Sequence, residues 1–403
     1  MKKNLYYGMY LLIILAAFTG CKENDKLLAQ QNDLDPEVQT ALDIVNTFRK
    51  QVAPSDMARS ISSSDLNIID YQQEDVLLRR VGNNRSLSRS TAAEIETVKL
   101  YNIRFELNGK KGFAYSSPDP RVNRVLAYCE NGSIEDTVYI KSMAMAIKGI
   151  AISCAKDLGE YYSNGEKLSR ASNSPRVVGP FMTTEWSQDG PYNENCGGSG
   201  CSTTLNGKYP AGCVAIAVAQ SIAFVGRINS QFDLAALKKE KNISKYSSLA
   251  PEVAEFVYQV AIGCKTNFDC SGSGSTLALA NTYLLSLGYN QKMIDYYYKK
   301  ESSIDLIGIS GLFQRMPTCV GGNTDKGKGH AWVFCGISAT EKNVNQVDKI
   351  YALYCNWGWG GTGNGWYDNS TWYTPVDQFT FEPLSDGAYY RNNEFIYFRY
   401  YRP

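Results

Sequence analysis

The sequence predicts an α+β protein in which a smaller α+β domain precedes a larger one. Three observations carry this. In the second half, helix-type runs come first and strand-type runs follow, which is an α+β order and not a βαβ alternation. The runs PAGCVAIAVAQSIAFVG (210–226), APEVAEFVYQVAIG (250–263) and STLALANTYLLSLG (275–288) precede HAWVFCGIS (330–338), KIYALYCNW (349–357) and EFIYFRYY (394–401). Between the halves lies SNGEKLSRASNSPR (163–176), poor in apolar residues and rich in Gly, Ser and Asn, which reads as an exposed linker with a domain boundary near 170. The first half carries its own mixture of helix and strand patterns, and no internal repeat is visible.

The elements follow in chain order. Residues 1–20 have a basic start, Lys2 and Lys3, then an apolar run from Tyr10 to Phe18, and read as a secretory signal. The run ends in FTGC, which resembles a bacterial lipobox, so Cys21 is expected to carry lipid and begin the mature chain. The KEND that follows resembles the Lys-acidic export signals of surface lipoproteins, which makes the expected location the outer membrane or cell surface. In PEVQTALDIVNTFRK (36–50), Val38, Leu42, Ile44, Val45 and Phe48 share one helical face. DVLLRRVGNNRSLSRSTAA (75–93) reads as an Arg- and Ser-rich loop. VKLYNIRFEL, KKGFAYSSP and RVNRVLAYC read as strands, and YIKSMAMAIKGIAISCAKDL (139–158) as a helix.

Composition narrows the function. A formal net charge of +1 gives no basis for nucleic-acid or anionic-membrane binding. No helix-length apolar run follows the first twenty residues, so the expected membrane link is the lipid on Cys21 alone. Ten cysteines follow Cys21 without a dense framework. Cys196/Cys201 and Cys264/Cys270 offer local pairs, but the spacing assigns none. With one histidine and no CxxC, a structural zinc site is not expected, and neither is any other cofactor.

That single histidine, His330, sits in GKGHAWVFCG between glycines and alternating apolar residues. The ordinary fate of a histidine at a strand start is partial burial. The alternative is a general base, and that requires a partner. Cys213 supplies one, because it stands in the first turn of an apolar helix, where the helix dipole favours a thiolate. Gln188, in TTEWSQDGPYN, could donate to a carbonyl oxyanion together with the Cys213 N–H. Asn356 and Trp357, in YCNWGWGGTGNGWY, could hold the imidazole tautomer through an amide oxygen and shield it with an indole.

With these residues in order, 177–403 resemble the streptopain family of bacterial cysteine peptidases. The matching motifs are TTEWSQDGPYN, YPAGCVAIAVAQ, SGSGS (271–275), GHAWV and NWGWGG. The resemblance implies a papain-like domain over 171–403, with a helical part bearing the nucleophile helix and an antiparallel sheet part. It implies Cys213 as nucleophile, His330 as base, Gln188 in the oxyanion hole, supporting roles for Asn356 and Trp357, and substrate contact near Ser273 and Gly329. Cys270, just before the serine–glycine loop, departs from the family pattern, and so does the cysteine of VFCG. GFAYSSPDPRVNRVLAYCENGSIED (112–136) resembles the family's propeptide. This makes 21–170 an expected prodomain that inhibits its own peptidase domain, and protein or peptide substrates the other expected partners. The competing readings are a cell-wall amidase and a catalytically inactive surface-binding lipoprotein of the same fold.

Overall fold

The computed structural model describes residues 34–53, 58, 60–62, 65–80, 95–138, 140–163, 165, 175–226, 230–299, 311–323, 329–343, 346–368, 381–383 and 391–399. The signal segment, Cys21 and nearly all of the 163–176 linker lie outside them. From Asp35 onward the chain forms one compact unit.

Helix α1 (Pro36–Val52) begins where the Asp35 carboxylate accepts the Glu37 N–H at 2.8 Å, and it buries Val38, Leu42 and Val45, as the periodicity predicts. Four strands follow: β1 (Asn67–Arg80), β2 (Ile95–Leu107), β3 (Lys110–Ser117) and β4 (Arg124–Cys129). Strand β1 was not expected. Its polar, charged stretch reads as a loop in isolation, yet all fourteen residues are extended because β2 pairs along nearly its whole length. The rest of that expected loop, 81–93, lies outside the described residues. The helix expected over 139–158 is divided at Gly149 into α2 (Lys141–Lys148) and α3 (Ile150–Ser163).

In the second half, β5 (Arg176–Val178) leads to α4 (Cys213–Val225), α5 (Leu234–Leu237), α6 (Ala250–Gly263) and α7 (Leu277–Ser286). Strands β6 (Ile294–Lys299), β7 (Thr318–Asn323), β8 (Gly329–Asn343), β9 (Gln346–Asn356), β10 (Gly365–Asp368), β11 (Phe381–Pro383) and β12 (Arg391–Phe398) complete the set. This mixture of helices and antiparallel sheet is of the α+β class.

The two halves are not separate layers. One twelve-stranded sheet runs β11-β1-β2-β3-β4-β10-β9-β8-β7-β12-β6, with β5 on β8, and every pairing is antiparallel. The first-half strands therefore lie between β11 at one edge and β10 at the other. Alternate residues of β8 feed two cores, as the period of two requires. Ala331, Val333 and Cys335 pack with α4, α6 and α7, while Trp332 and Phe334 pack with Met143, Ala146 and Cys154 of α2 and α3; Ile337 joins the latter because a register shift between Phe334 and Ile337 reverses the alternation. A half-buried ion cluster joins the halves. Arg124 pairs with Asp157 at 2.7 Å and also with Asp368, whose other oxygen accepts the Ser153 hydroxyl. Such a cluster holds together only while both partners are present, because a buried charge left alone is costly.

Candidate active site

Helix α4 is largely apolar, and ten of its residues are buried. Its N-cap, Gly212, has φ +94°, a conformation that a side chain rarely tolerates. A Cβ there would also stand 3.3 Å from the Ser273 carbonyl oxygen, so the glycine lets the 271–275 loop run directly beside the helix entry. Cys213 follows. Among the described cysteines outside disulfides, seven are buried, and only Cys213 reaches solvent.

The Cys213 sulfur lies against main-chain N–H groups of Ala331, Val214 and Cys213 itself, all of which favour a thiolate. Burial is the larger influence and pushes the thiol up. Ala331 is the residue after His330, so helix entry and histidine meet at the start of β8. The imidazole Nε2 sits 3.0 Å from the Trp357 carbonyl oxygen. Burial lowers His330 to about 4, opposed by that carbonyl. No hydrogen bond joins sulfur and imidazole among the described residues, and both shifts favour neutral groups. The resting state thus differs from a pre-formed thiolate–imidazolium pair, because burial penalises each charge taken singly.

The support of His330 also differs from expectation. Asn356 does not touch the ring. Its Nδ2 donates to the Thr184 carbonyl at 2.7 Å and to Gln220 Oε1 at 3.2 Å, and its Oδ1 accepts the Gly358 N–H. Asn356 therefore shapes the turn after β9, and the next residue's carbonyl reaches the imidazole. Trp357 is fully buried, and its indole donates to the Gly363 carbonyl at 2.9 Å, which anchors the turn. The rings parallel to the imidazole are Trp332 and Trp359, each with its centroid 6.2 Å away.

Gln188 is largely buried, and its carbonyl accepts the Ala211 N–H at 2.9 Å, two residues before Cys213. Its side-chain amide makes no hydrogen bond among the described residues. Ser187 bridges Trp359, and Gly360 donates to the Trp186 carbonyl, so the Gln188 segment runs beside the histidine-supporting turn. Ser273 is buried, with its hydroxyl accepting the Asp269 N–H at 3.2 Å, so only its carbonyl borders the helix entry. Gly329 is exposed at the start of β8. Every candidate except Cys21 converges on this one place.

Three contributors were missed in the sequence. Gln220 is the one amide in an apolar helix, seven residues after Cys213, and its Oε1 accepts both the Trp186 N–H and Asn356. A buried polar group in such a run needs partners, which was the available signal. Trp332, two residues after His330 on the same strand face, was also legible. Asn131 was not. It follows β4 in the first half, yet its Nδ2 donates to the Gly361 carbonyl and its carbonyl accepts the Gly363 N–H at 2.8 Å.

The cysteine pairs suggested by proximity do not form. The structure joins Cys201 to Cys270, while Cys196 and Cys264 are free and buried. Chain separation misleads here because the 196–209 loop folds back on the 266–275 loop.

Residues 225–367 match the model of the Peptidase C10 family. That span contains Ser273, Gly329, His330, Asn356 and Trp357, and it begins after Gln188 and Cys213. A comparison with curated proteins gave no match.

Proposed function

We propose that the protein, of which residues 225–367 match the model of the Peptidase C10 family, is a cysteine endopeptidase of the streptopain family with Cys213 as nucleophile and His330 as base. One observation carries this reading. Cys213, half-buried where the other described free cysteines are buried, stands at the entry of a buried helix with its sulfur against the N–H of the residue that follows the sequence's single histidine.

The chemistry follows from the placement. His330 takes the thiol proton as the Cys213 sulfur attacks a peptide carbonyl. The oxyanion is met by the Cys213 N–H and the unengaged Gln188 amide. His330 then protonates the leaving amine, and water activated by the imidazole releases the acyl group. Burial penalises each charge taken singly, the imidazolium and the thiolate alike. The charged pair therefore forms as a unit or not at all, helped by the three N–H groups at the sulfur and the two indole faces beside the ring.

The zymogen, its export and the lipid on Cys21 belong to the same proposal. The first half reaches the histidine-supporting turn through Asn131, which puts it in position to govern the site. A cut within 163–176, where Arg170 and Arg176 offer basic sites, would mature the enzyme. The test treats the full chain briefly with trypsin, then assays casein with and without a thiol-directed epoxide. Cleavage that the epoxide blocks supports the reading. Intact casein alongside stoichiometric labelling of Cys213 refutes it.

A further inference from the structure

The Cys201–Cys270 disulfide lies beside the nucleophile, and its two ends are anchored differently. Cys201 belongs to a well-tied loop. Its N–H donates to the Gly207 carbonyl at 3.0 Å, and Leu205 N–H donates to the Asp189 carboxylate at 2.9 Å. Asn193 donates to Asn206 and to the Tyr209 carbonyl, both at 3.1 Å. Asp189 is next to Gln188, so this end is fixed to the segment that carries the oxyanion candidate.

The Cys270 end is different. The segment Asp269 to Ser275 reads DCSGSGS and has no large apolar side chain to hold it down. Ser271, Gly272 and Gly274 are exposed. Within it, Asn267 and Gly274 exchange main-chain hydrogen bonds at 2.9 and 3.1 Å, and Asp269 N–H donates to Ser273. Outward, Thr203 donates to the Cys270 carbonyl and Ser275 to the Cys264 carbonyl. A segment with so few buried apolar contacts has low local stability, and a covalent tie restricts it most. This segment also brings the Ser273 carbonyl against Gly212, one residue before Cys213.

We propose that the Cys201–Cys270 bridge is the positioning element of the cleft wall formed by 271–275, so that the enzyme needs Cys213 reduced and Cys201–Cys270 oxidised. The inference rests on the peptidase reading for its kinetic consequence alone. One thiolate of dithiothreitol attacks the bridge, releasing one cysteine and forming a mixed disulfide, and its second thiolate then attacks the dithiothreitol sulfur of that mixed disulfide and releases the other cysteine. The bridge gains two electrons and two protons, and dithiothreitol closes to its cyclic disulfide. Mild reductant, which frees Cys213 from reversible oxidation, raises activity. Strong reductant opens the bridge and loosens the wall, raising KM while kcat changes little.

The experiment compares the trypsin-activated wild type with the Cys201→Ser/Cys270→Ser variant across graded dithiothreitol, counting thiols by mass spectrometry and measuring kcat and KM on a peptide. The wild type should show a KM rise of about tenfold as the bridge opens, with kcat within about twofold. The variant should have the high KM at every reductant level. Wild-type KM in the variant, or no change in the wild type once the two extra thiols appear, overturns the proposal. Hydrogen exchange at the Asn267 and Gly274 amides is read on the same full-length samples and does not need activity. Bridge opening should speed it by about tenfold or more, and unchanged exchange overturns the proposal even for a protein that cleaves nothing. Absence of cleavage with accelerated exchange would sink the peptidase reading and leave the tie intact.

Discussion

The two walls of the site are built in different ways. The Cys213 wall is helical and mostly local. An apolar helix, its glycine entry and the 271–275 loop, which begins eight residues after α6, assemble from the stretch between α4 and α7, packed into a core with α6 and α7. The His330 wall is sheet and almost wholly non-local. Its imidazole leans on a carbonyl from the turn after β9, that turn is held by Asn131 from the first half, and the indoles below it share a core with α2 and α3. The contrast separates two tasks. A nucleophile needs a dipole and a glycine, which neighbours in sequence supply. A buried base needs an oriented acceptor and low polarity on both faces, which only packing from a distance supplies.

The largest effect should come from removing either member of the pair. Cys213→Ala and His330→Ala should each cut peptide hydrolysis by about 10⁴-fold or more. Circular dichroism should be unchanged, and near-normal turnover in either variant would break the assignment. Gln188→Ala, on the helical wall, should cost about 10²–10³ in kcat, the worth of one oxyanion donor. A loss seen only in KM would move Gln188 to substrate binding.

The imidazole offers a direct reading of the coupled pair, because the chain has one histidine and hence a single pair of imidazole C–H signals in NMR. With Cys213→Ala the ring should titrate near 4, held down by burial alone. In the wild type the ring should also rest neutral at pH 7, because burial pushes the neighbouring thiol up and the imidazole down. The sign for stability follows. In the variant the folded-state value lies below the unfolded one of 6.5, so the buried neutral ring stabilises the fold fully above 6.5. That contribution, at most about 3 kcal/mol, is lost as pH falls from 6.5 towards 4. Urea midpoints at pH 7 and pH 4.5 measure it, and a wild-type ring still charged at pH 7 would overturn the neutral resting pair.

Asn356→Ala removes three hydrogen bonds from a buried turn and should destabilise the protein by about 2–4 kcal/mol in urea. The pH profile of kcat in the surviving fold should stay unchanged. A displaced profile would return Asn356 to the ring. The smallest effect belongs to Asn131→Ala, which loses one half-exposed hydrogen bond and should lower kcat by a few-fold while leaving epoxide labelling of Cys213 at its normal rate. Slowed labelling would mean that the two walls are not independent.

The sequence by itself determined the helical wall. The α4, α6 and α7 runs, the glycine before Cys213 and the single histidine at a strand start were all legible, because helix periodicity, capping and strand alternation act within a few residues. The core strands β2, β3, β4, β8 and β9 were legible for the same reason. Tertiary structure alone decided the rest. The polar stretch of β1 becomes a strand because β2 pairs with it, and the Cys201–Cys270 bridge joins loops 69 residues apart. The acceptor for His330 proved to be a carbonyl, which every residue carries, so no side-chain pattern could mark it. The two halves, divided in sequence by a polar linker, share one sheet and one core, because an antiparallel edge such as β10 pairs with whichever strand the fold brings to it.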